Sequence, residues 1–341
     1  MNILLTSAGR RSYLVKFFKQ ALNGKGKVFV SNSDSQSPAF QIADESVTTP
    51  LIYDQNYIPF LIEFCKANDI KAILPLFDVD VFVLAKNKDC FLKAGIQVVV
   101  GDWQNIAFCN DKLATFNKLN DNNILVPKTI NQLAQAKDLI TKGALKFPLI
   151  VKPRWGMGSI GMYEAVNESE LEVFYSKCLR DIKNGYLIYE SNDDIENSVI
   201  IQEKIKAVEF GLDVINDLNG MYQTTIVKKK NAMRSGETDS ATVINAPELK
   251  KLGEKLSTIV QHPGNLDVDV LFNGKDYYVL ELNARFGGGY PFTHLSGVNL
   301  PLAIVKWLQG DSVIDELREN HGVSGYKDLV VRTLSIEEGS I

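Results

Sequence analysis

The first hundred residues alternate short apolar segments with segments of helical spacing, and this pattern constrains the fold more than any other. Apolar spacing predicts strands at residues 2–6, 28–31, 72–75 and 98–100, with helices at residues 11–22, 56–66 and 79–86. Strands that alternate with helices pair in parallel and are covered on both faces. We therefore predict an α/β protein that begins with a Rossmann-like parallel sheet.

The first strand-to-helix turn contains Gly9 but lacks the G-x-G-x-x-G spacing of dinucleotide sites. This argues against nicotinamide or flavin binding and therefore against an oxidoreductase. Residues 7–11 and Asp34 follow the first two strands, at the edge where open parallel sheets bind small ligands. A helix cap followed by two solvated arginines explains residues 7–11 equally well.

A β-hairpin is predicted near residue 274. Two strand-like segments, residues 266–272 and 276–282, flank Asn273-Gly274, a dipeptide that favours tight turns. Antiparallel pairing of these strands brings Asp269 close to Glu281. The hairpin thus places two carboxylates side by side.

The second strand of this hairpin continues into polar residues. Glu281, Asn283 and Arg285 alternate with apolar residues, so in an extended chain they point to one face. Carboxylate and amide oxygens suit Mg²⁺, whereas arginine offers a fork of donors for phosphate or carboxylate. Residues 287–289 are glycines that allow close approach to a ligand. A strand that ends in polar residues explains Glu281 alone about as well.

A glycine-rich loop follows another predicted strand, residues 147–151. Lys152 ends that strand, and the loop reads GMGSIG at residues 156–161. Its backbone N–H groups can surround phosphate oxygens while the lysine supplies charge. The loop opens no helix and lacks G-K-[ST], so it is not a Walker A loop. A flexible glycine hairpin is the alternative.

Three further segments carry weaker signals. The predicted strand 198–205 turns polar at Glu203, and a strand end with free backbone groups, together with Glu209, can hold an adenosine. The polar residues 234–238 predict a substrate-facing loop, with a plain surface loop equally open. Helices are predicted at residues 111–120, 131–142, 168–183, 247–262 and 301–308, and a strand-like piece at 328–334.

Composition excludes several classes of function. Net charge is −4 over 341 residues, which favours neither nucleic acid nor an anionic membrane as a partner. No apolar run reaches the roughly 18 residues of a membrane helix, and no basic segment precedes the first apolar stretch, so no signal peptide is expected. The four cysteines are scattered, which suits a reduced cytoplasm rather than zinc binding.

The segments ELNARFGGGYP, DVDVLF, IVKPRWGMGSIG and QEKIKAVEFGLDV together resemble the ATP-grasp superfamily, most closely single-module proteins similar to the large subunit of carbamoyl phosphate synthase. The resemblance covers residues 1–310. It implies a pre-ATP-grasp Rossmann-like domain at residues 1–110 and an ATP-grasp domain of α+β character at 111–310. A lid subdomain is expected at about 145–203, and residues 311–341 form a C-terminal extension.

The resemblance also implies roles for individual residues. Those expected to touch ATP are Lys112, Lys152, Gly158, Ser159, Glu203, Lys204, Ile205 and Glu209. Those expected to hold one or two Mg²⁺ or Mn²⁺ ions are Asp269, Glu281 and Asn283. Lys152, Asn283 and Arg285 are expected to act in catalysis, with Arg285 steadying the transferred phosphate. Arg234, Glu237 and His294 are the expected substrate-facing residues.

Two positions depart from the family pattern. Ala207 stands where glycine is frequent before the ribose-binding glutamate. Asp269 stands where carbamoyl phosphate synthases carry glutamine, which makes the metal site more anionic. The expected activity is an ATP-dependent carboxylate–amine ligase acting on small molecules. A homodimer and a location in the cytoplasm are further expectations. The alternatives are a carbamoyl-phosphate-synthase-like phosphorylating enzyme and a non-catalytic nucleotide-binding protein.

Overall fold

The computed structural model describes residues 1–158 and 160–331, and its first unit is a five-stranded parallel sheet. Its strands are β1 (Asn2–Thr6), β2 (Val28–Asn32), β3 (Glu45–Thr48), β4 (Ile70–Pro75) and β5 (Gln97–Val98). They lie in the order β3-β2-β1-β4-β5. The accompanying helices are α1 (Ser12–Leu22), α2 (Tyr57–Ala67), α3 (Asp78–Lys86), α4 (Lys88–Lys93) and α5 (Trp103–Asn110). The predicted parallel sheet is confirmed.

A four-stranded antiparallel sheet forms the second unit. Its strands are β6 (Thr129–Ile130), β7 (Leu149–Pro153), β8 (Tyr163–Ala165) and β9 (Val199–Glu203), in the order β6-β9-β7-β8. The helices of this part of the chain are α6 (Lys112–Asp121), α7 (Leu133–Thr141), α8 (Glu168–Asn184) and α9 (Ile188–Ser191). Apolar side chains of β7 and β9 pack with Leu171 and Cys178 of α8 in a separate small core.

The third unit is a six-stranded antiparallel sheet. Its strands are β10 (Val208–Asn216), β11 (Tyr222–Arg234), β12 (Glu237–Val243), β13 (Gly264–Phe272), β14 (Tyr277–Asn283) and β15 (Ser324–Tyr326). They lie in the order β14-β13-β10-β11-β12-β15. The last helices are α10 (Pro247–Val260), α11 (Tyr290–Leu295) and α12 (Leu300–Gln309). Short 3-10 helices occur at Pro38–Gln41 and Asn192–Asn197.

Local sequence explains several element boundaries. Asp111 caps α6, because its side chain accepts hydrogen bonds from the backbone N–H groups of Leu113 and Ala114. Helix α10 begins at Pro247, where a missing N–H costs nothing, and ends at Gln261 in the left-handed conformation. These caps account for the helix starts predicted from sequence at residues 111 and 247.

The first and third units share one hydrophobic core. Leu4 and Ile73 of the parallel sheet belong to the same buried cluster as Leu212, Val268 and Leu282 of the six-stranded sheet. Burial of apolar surface is the main favourable term in folding, so this cluster holds the two sheets together. Polar residues of both units, such as Asp78 and Glu281, line a common cavity.

Several predicted boundaries were wrong. Residues 234–238 are not an open loop, because Arg234 pairs with Glu237 across a two-residue turn in which Ser235 and Gly236 both have positive φ. The strand predicted at residues 328–334 occurs instead at Ser324–Tyr326; residues 328–331 form no strand, and 332–334 lie outside the described residues. The edge strand β3 was missed because its sequence ESVT is mostly polar and exposed. No helix in the described ranges has the length and apolarity to span a bilayer.

Candidate active site

The hairpin β13–β14 forms one wall of a cavity of about 260 Å³, called here the acceptor cavity. Its strand register sets Asp269 opposite Glu281 and Asp267 opposite Asn283. All four side chains line the cavity. The predicted meeting of Asp269 with Glu281 is therefore confirmed, with Asp267 as an additional acidic neighbour.

Arg285 also lines the acceptor cavity and is held by two carboxylates. Its guanidinium is 3.0 Å from Asp78 and 3.5 Å from Asp267. Burial opposes the charge of Arg285, but Asp78 and Asp267 outweigh it and raise the pKa of the guanidinium. The arginine is thus fixed as a cation, with its orientation set by residues from two different units of the fold.

A second cavity of about 470 Å³, called here the nucleotide cavity, adjoins the first. Asp269, Glu281, Met157 and Gly158 line both cavities, so the glycine-rich segment lies over the point where they meet. The nucleotide cavity extends from there between β7, β10 and β14. Gly236 also lines both cavities, and the remaining residues that line the nucleotide cavity are Lys112, Lys152, Pro153, Gly156, Ile160, Met162, Glu209, Met233 and Leu280.

Two lysines bring positive charge to the nucleotide cavity. The Lys112 Nζ lies 3.5 Å from the Glu281 Oε1 and also donates a hydrogen bond to the carbonyl of Gly156. Lys152 is almost fully buried at the end of β7. Burial and the neighbouring Lys112 cation lower the pKa of Lys152 to about 8, although Glu281 and Asp269 act in the opposite direction. A buried cation of this kind is suited to an anionic ligand.

Lys230 was not singled out from the sequence, yet it joins two of the predicted site residues. Its Nζ lies 2.8 Å from the Glu209 Oε1 and 2.7 Å from the Asp269 Oδ1. Burial disfavours the charge of Lys230, but Asp269 and Glu209 outweigh burial and raise its pKa. Lys230 thereby connects the proposed ribose residue to the proposed metal residue.

The donor chemistry of the acceptor cavity fits a hard divalent cation. Burial, together with the negative charge of Asp269, raises the pKa of the Asp267 carboxyl above its ordinary value. Within residues 1–158 and 160–331, no group of three or more His, Cys, Asp or Glu side chains could hold a metal ion by itself. Asp269 and Glu281 with the Asn283 amide would leave coordination positions for phosphate oxygens and water, as Mg²⁺ requires.

The residues predicted to hold the adenine lie at the junction of the second and third sheets. Glu203 ends β9, and its N–H already donates to the carbonyl of Lys128 at 2.9 Å. Lys204 pairs with Glu164, and Ile205 lies between β9 and β10. None of these three lines either cavity. Their roles stay predictions.

The three residues predicted to face a substrate have different surroundings. Glu237 lines the acceptor cavity and pairs with Lys327 at 3.0 Å. Arg234 pairs with Asp239 and lines a third cavity. His294 lines none of these cavities, because α11 directs its ring against Phe17, with the ring centroids 3.6 Å apart. Ser159, predicted to touch ATP, lies outside the described residues, whereas Gly158 lines both cavities.

Several functional candidates were missed by sequence reasoning. Asp267 precedes Asp269 by two residues in DVDVLF, so strand alternation alone puts both on one face. Lys228 and Lys230 have the same spacing on β11 and line the acceptor cavity. Asp78, in contrast, reaches Arg285 from more than two hundred residues away, and no local pattern indicates that contact.

Comparison with known proteins agrees with this geometry. Residues 109–289 match the family model described as ATP-grasp domain, and residues 3–99 match the PylC-like N-terminal domain. The carbamoyl phosphate synthase large chain of Clostridium acetobutylicum is 20% identical over 317 residues, which are 89% of this chain and 27% of that relative. The chain thus spans about a quarter of the length of this relative.

Two solved structures share the fold. The L-amino acid ligase from Bacillus licheniformis superposes with a TM-score of 0.73 and 18% identity, over 97% of this chain and 81% of that chain. The second is the biotin carboxylase domain dimer of the Hydrogenobacter thermophilus 2-oxoglutarate carboxylase, in complex with MgADP and bicarbonate. It superposes with a TM-score of 0.71 and 14% identity, over 94% of this chain and 72% of that chain. At these identities the likeness concerns the fold.

The predicted fold class, an N-terminal parallel-sheet unit followed by antiparallel ATP-grasp sheets, is confirmed. The predicted resemblance to ATP-grasp proteins of the carbamoyl phosphate synthase type is confirmed. Since the ATP-grasp model matches more than half of its residues, the chain belongs to the ATP-grasp domain family.

Proposed function

We propose that this protein is an ATP-dependent carboxylate–amine ligase that forms an amide through an acyl-phosphate intermediate. The observation that carries the proposal is the meeting of the nucleotide cavity and the acceptor cavity at Asp269 and Glu281. A nucleotide in the first cavity would present its terminal phosphate at this junction. An acceptor carboxylate in the second cavity would meet it there, beside Arg285.

The chain's own residues would supply positioning and charge. Lys112 and Lys152 would contact the phosphates, and Glu209, fixed by Lys230, would accept the ribose hydroxyls. Asp269, Glu281 and Asn283 would hold Mg²⁺ or Mn²⁺, which neutralises charge on phosphate oxygens when bound. Arg285 would stabilise the anionic oxygens during phosphoryl transfer and then the acyl phosphate.

The glycine-rich segment, residues 156–161, is proposed as a lid. Gly156 and Gly158 have φ of +136° and +63°, conformations that other residues rarely adopt, so the segment depends on glycine. Its closure over the junction would exclude water, which matters because acyl phosphates hydrolyse. An amine would then attack the acyl carbon and release phosphate, so that one C–N bond forms for each ATP converted to ADP.

The carbamoyl-phosphate-type alternative uses bicarbonate, which needs only a small pocket. The acceptor cavity of about 260 Å³ adjoins a further cavity of about 690 Å³ at Arg11, Glu237 and Thr238. This additional room favours an organic acid. The non-catalytic alternative predicts loss of a lysine or a metal ligand, yet Lys112, Lys152 and the three oxygen ligands are all present.

The domain boundaries belong to the same proposal. The proposed units are a pre-ATP-grasp domain of residues 1–110, an ATP-grasp domain of 111–310 with a lid at about 145–203, and an extension of 311–341. Sheet membership supports the first two, whereas β6 lies before the lid bounds but pairs with β9 of the lid, and β15 of the extension joins the third sheet. Small-molecule acids and amines are the proposed partners. The homodimer and the cytoplasmic location stay predictions.

The test is ADP release from MgATP across a panel of carboxylates and amines, each supplied alone and in pairs. Release that requires one acid and one amine, together with a product of amide mass, supports the ligase. Release with bicarbonate and ammonia alone supports the carbamoyl-phosphate alternative. ATP binding without ADP release for any pair in a broad panel contradicts the ligase proposal.

A further inference from the structure

A third cavity of about 690 Å³, called here the side cavity, lies beyond the acceptor cavity and shares Arg11, Glu237 and Thr238 with it. It is polar where the two cavities meet. Five further lining residues, called here the apolar wall, are Pro291, Phe292, Leu295, Tyr326 and Leu329, and they line it together with charged residues such as Arg10, Arg234 and Lys327. The side cavity thus combines charged groups, some of them shared with the acceptor cavity, with a set of apolar side chains.

Arg11 is the charge at the junction that lacks a counterpart. Its guanidinium forms no ion pair within the described ranges, whereas Arg285 is paired with Asp78 and Asp267. Burial and the nearby Arg285 cation lower the pKa of Arg11. Tyr13, Asp78 and Glu237 act in the opposite direction on Arg11, but neither carboxylate forms a close ion pair with it among the described residues. A bound anion would therefore add a direct partner for the Arg11 charge.

The residues that the structure describes leave the apolar wall uncovered. Leu295, Tyr326 and Leu329 are 58%, 80% and 77% exposed, although all three line one concave surface. Concave apolar surface beside a few polar groups is the usual character of a small-molecule site. A ligand with an apolar body would remove this surface from water.

The C-terminal segment 324–329 builds this wall and is fixed in place. Strand β15 pairs with β12, and Lys327 pairs with Glu237 at 3.0 Å. Ser240 also donates a hydrogen bond to the carbonyl of Gly325 at 2.8 Å. The segment is therefore anchored to the strand that carries Glu237, with Tyr326 and Leu329 facing the side cavity on either side of Lys327.

We infer that the acid substrate is amphipathic, with its carboxylate held by Arg11 and an apolar or aromatic body in the side cavity against Tyr326 and Leu329. This inference rests on the proposed function and narrows its substrate class. It assigns Arg11 and the segment 324–329 as determinants of specificity. Short acids and bicarbonate would leave the apolar wall uncovered and would bind weakly.

The test measures binding rather than turnover. Calorimetric titrations with acetate, butyrate, hexanoate and 3-phenylpropionate are made in the presence of Mg²⁺ and a non-hydrolysable ATP analogue, with hexanamide as the uncharged comparison. Affinity is expected to rise roughly fourfold for each added CH₂ until the cavity is filled. Hexanamide is expected to bind far more weakly than hexanoate, because it lacks the charge that Arg11 holds.

Substitutions at Arg11 and at Leu329 test the contact with the carboxylate and the contact with the apolar body separately. Arg11→Gln is expected to lower hexanoate affinity roughly tenfold to a hundredfold. Arg11→Lys is expected to lower it less, because lysine keeps the positive charge but lacks the paired N–H donors of the guanidinium. Leu329→Ala is expected to weaken hexanoate binding several-fold and to leave acetate binding unchanged. Arg318→Gln, which removes an arginine 77% exposed and paired with Asp315, is the matched control and should change neither.

The outcomes distinguish this inference from the ligase proposal. Affinity that is independent of chain length, or hexanamide that binds like hexanoate, overturns the inference even if the enzyme makes amides. An affinity that increases with the chain length of the acid and that depends on Arg11 supports the inferred acid site. If affinity increases with chain length but no amine promotes ADP release, the ligase proposal is contradicted while the inferred acid site is supported. Leu329 is exposed, so its variant remains informative if changes at Arg11 impair folding.

Discussion

Asp269 on β13 and Glu281 on β14 are direct register partners, and the pairing is disturbed immediately beside them. Glu281 pairs with Asp269, but the next pair joins Val279 to Val270, so Leu280 is an extra residue on β14. A bulge of this kind breaks the alternation of side chains and re-aims the neighbouring residues. Leu280 and Glu281, although adjacent in sequence, both line the nucleotide cavity as a result.

Replacing Glu281 by Gln should reduce ADP formation about a hundredfold to a thousandfold, because it removes charge from a proposed metal ligand and from the partner of Lys112. The free energy of unfolding should change by less than about 1 kcal/mol, since the ion pair is partly exposed. Turnover against Mg²⁺ concentration and urea unfolding check both statements. Glu172→Gln, which alters an exposed ion pair with Lys137, is the control. ATP consumption like that of the unaltered protein would rule out this metal assignment.

Nucleotide binding in the absence of metal ions should weaken as pH rises through about 8. Burial and Lys112 lower the pKa of Lys152 to about 8, so Lys152 is a cation below that pH and loses its charge above it. Calorimetric titration of ADP in the presence of a chelator, from pH 6.5 to 9.5, measures the effect. Lys152→Arg keeps the charge throughout this range and should bind ADP with a flatter pH profile. Equal slopes for the two proteins would contradict this prediction.

Gly287→Ala should destabilise the protein by about 1–3 kcal/mol, because a Cβ there would meet the Asp267 carboxylate at 2.1 Å. Gly288→Ala is the matched control, since its Cβ would meet nothing closer than the Glu237 carboxylate at 3.5 Å. Urea unfolding of both variants measures the difference. Equal stability for the two variants would show that Gly287 is not required for space. Activity is not compared, because both glycines lie at or next to the acceptor cavity. The comparison therefore concerns folding only.

Lowering the pH below about 6.5 should destabilise the fold through His262. Burial, with a smaller effect of Lys88, lowers the pKa of His262 to about 3, and its Nδ1 accepts a hydrogen bond from the Gly101 N–H at 3.3 Å. In the unfolded chain the His262 imidazole binds a proton near pH 6.5, whereas in the folded state it binds one only near pH 3. Stability is therefore complete above 6.5 and falls by up to about 1.4 kcal/mol per pH unit below it.

The measurement is the free energy of urea unfolding from pH 7.5 to 4.5. His262→Gln should show a smaller decline with acidity than the unaltered protein, besides a lower stability at pH 7.5. His321→Gln, at an exposed histidine near Glu319, should keep the full decline. An undiminished decline in His262→Gln would assign the acid sensitivity to other groups.

Strong local patterns were sufficient for much of the fold. Strand β1 and helix α8 occur within one residue of the predicted bounds, because apolar periodicity and capping residues act over a few neighbours. The turn at Asn273-Gly274 was equally predictable, because this dipeptide favours tight turns. Gly274 does adopt a positive φ there, +97°. The strands β3 and β15 escaped detection because edge strands need little apolar pattern.

The sequence by itself determined the parallel sheet, the antiparallel hairpin, the carboxylates on one face of that hairpin, and the lysine before the glycine-rich loop. These depend on periodicities that are properties of the backbone. Only the tertiary structure decided that Asp78 orients Arg285, that Lys230 joins Glu209 to Asp269, and that His294 stacks on Phe17 instead of facing the cavities. Such contacts join distant parts of the chain. They depend on how the sheets pack and where the bulge falls, and no local spacing encodes either.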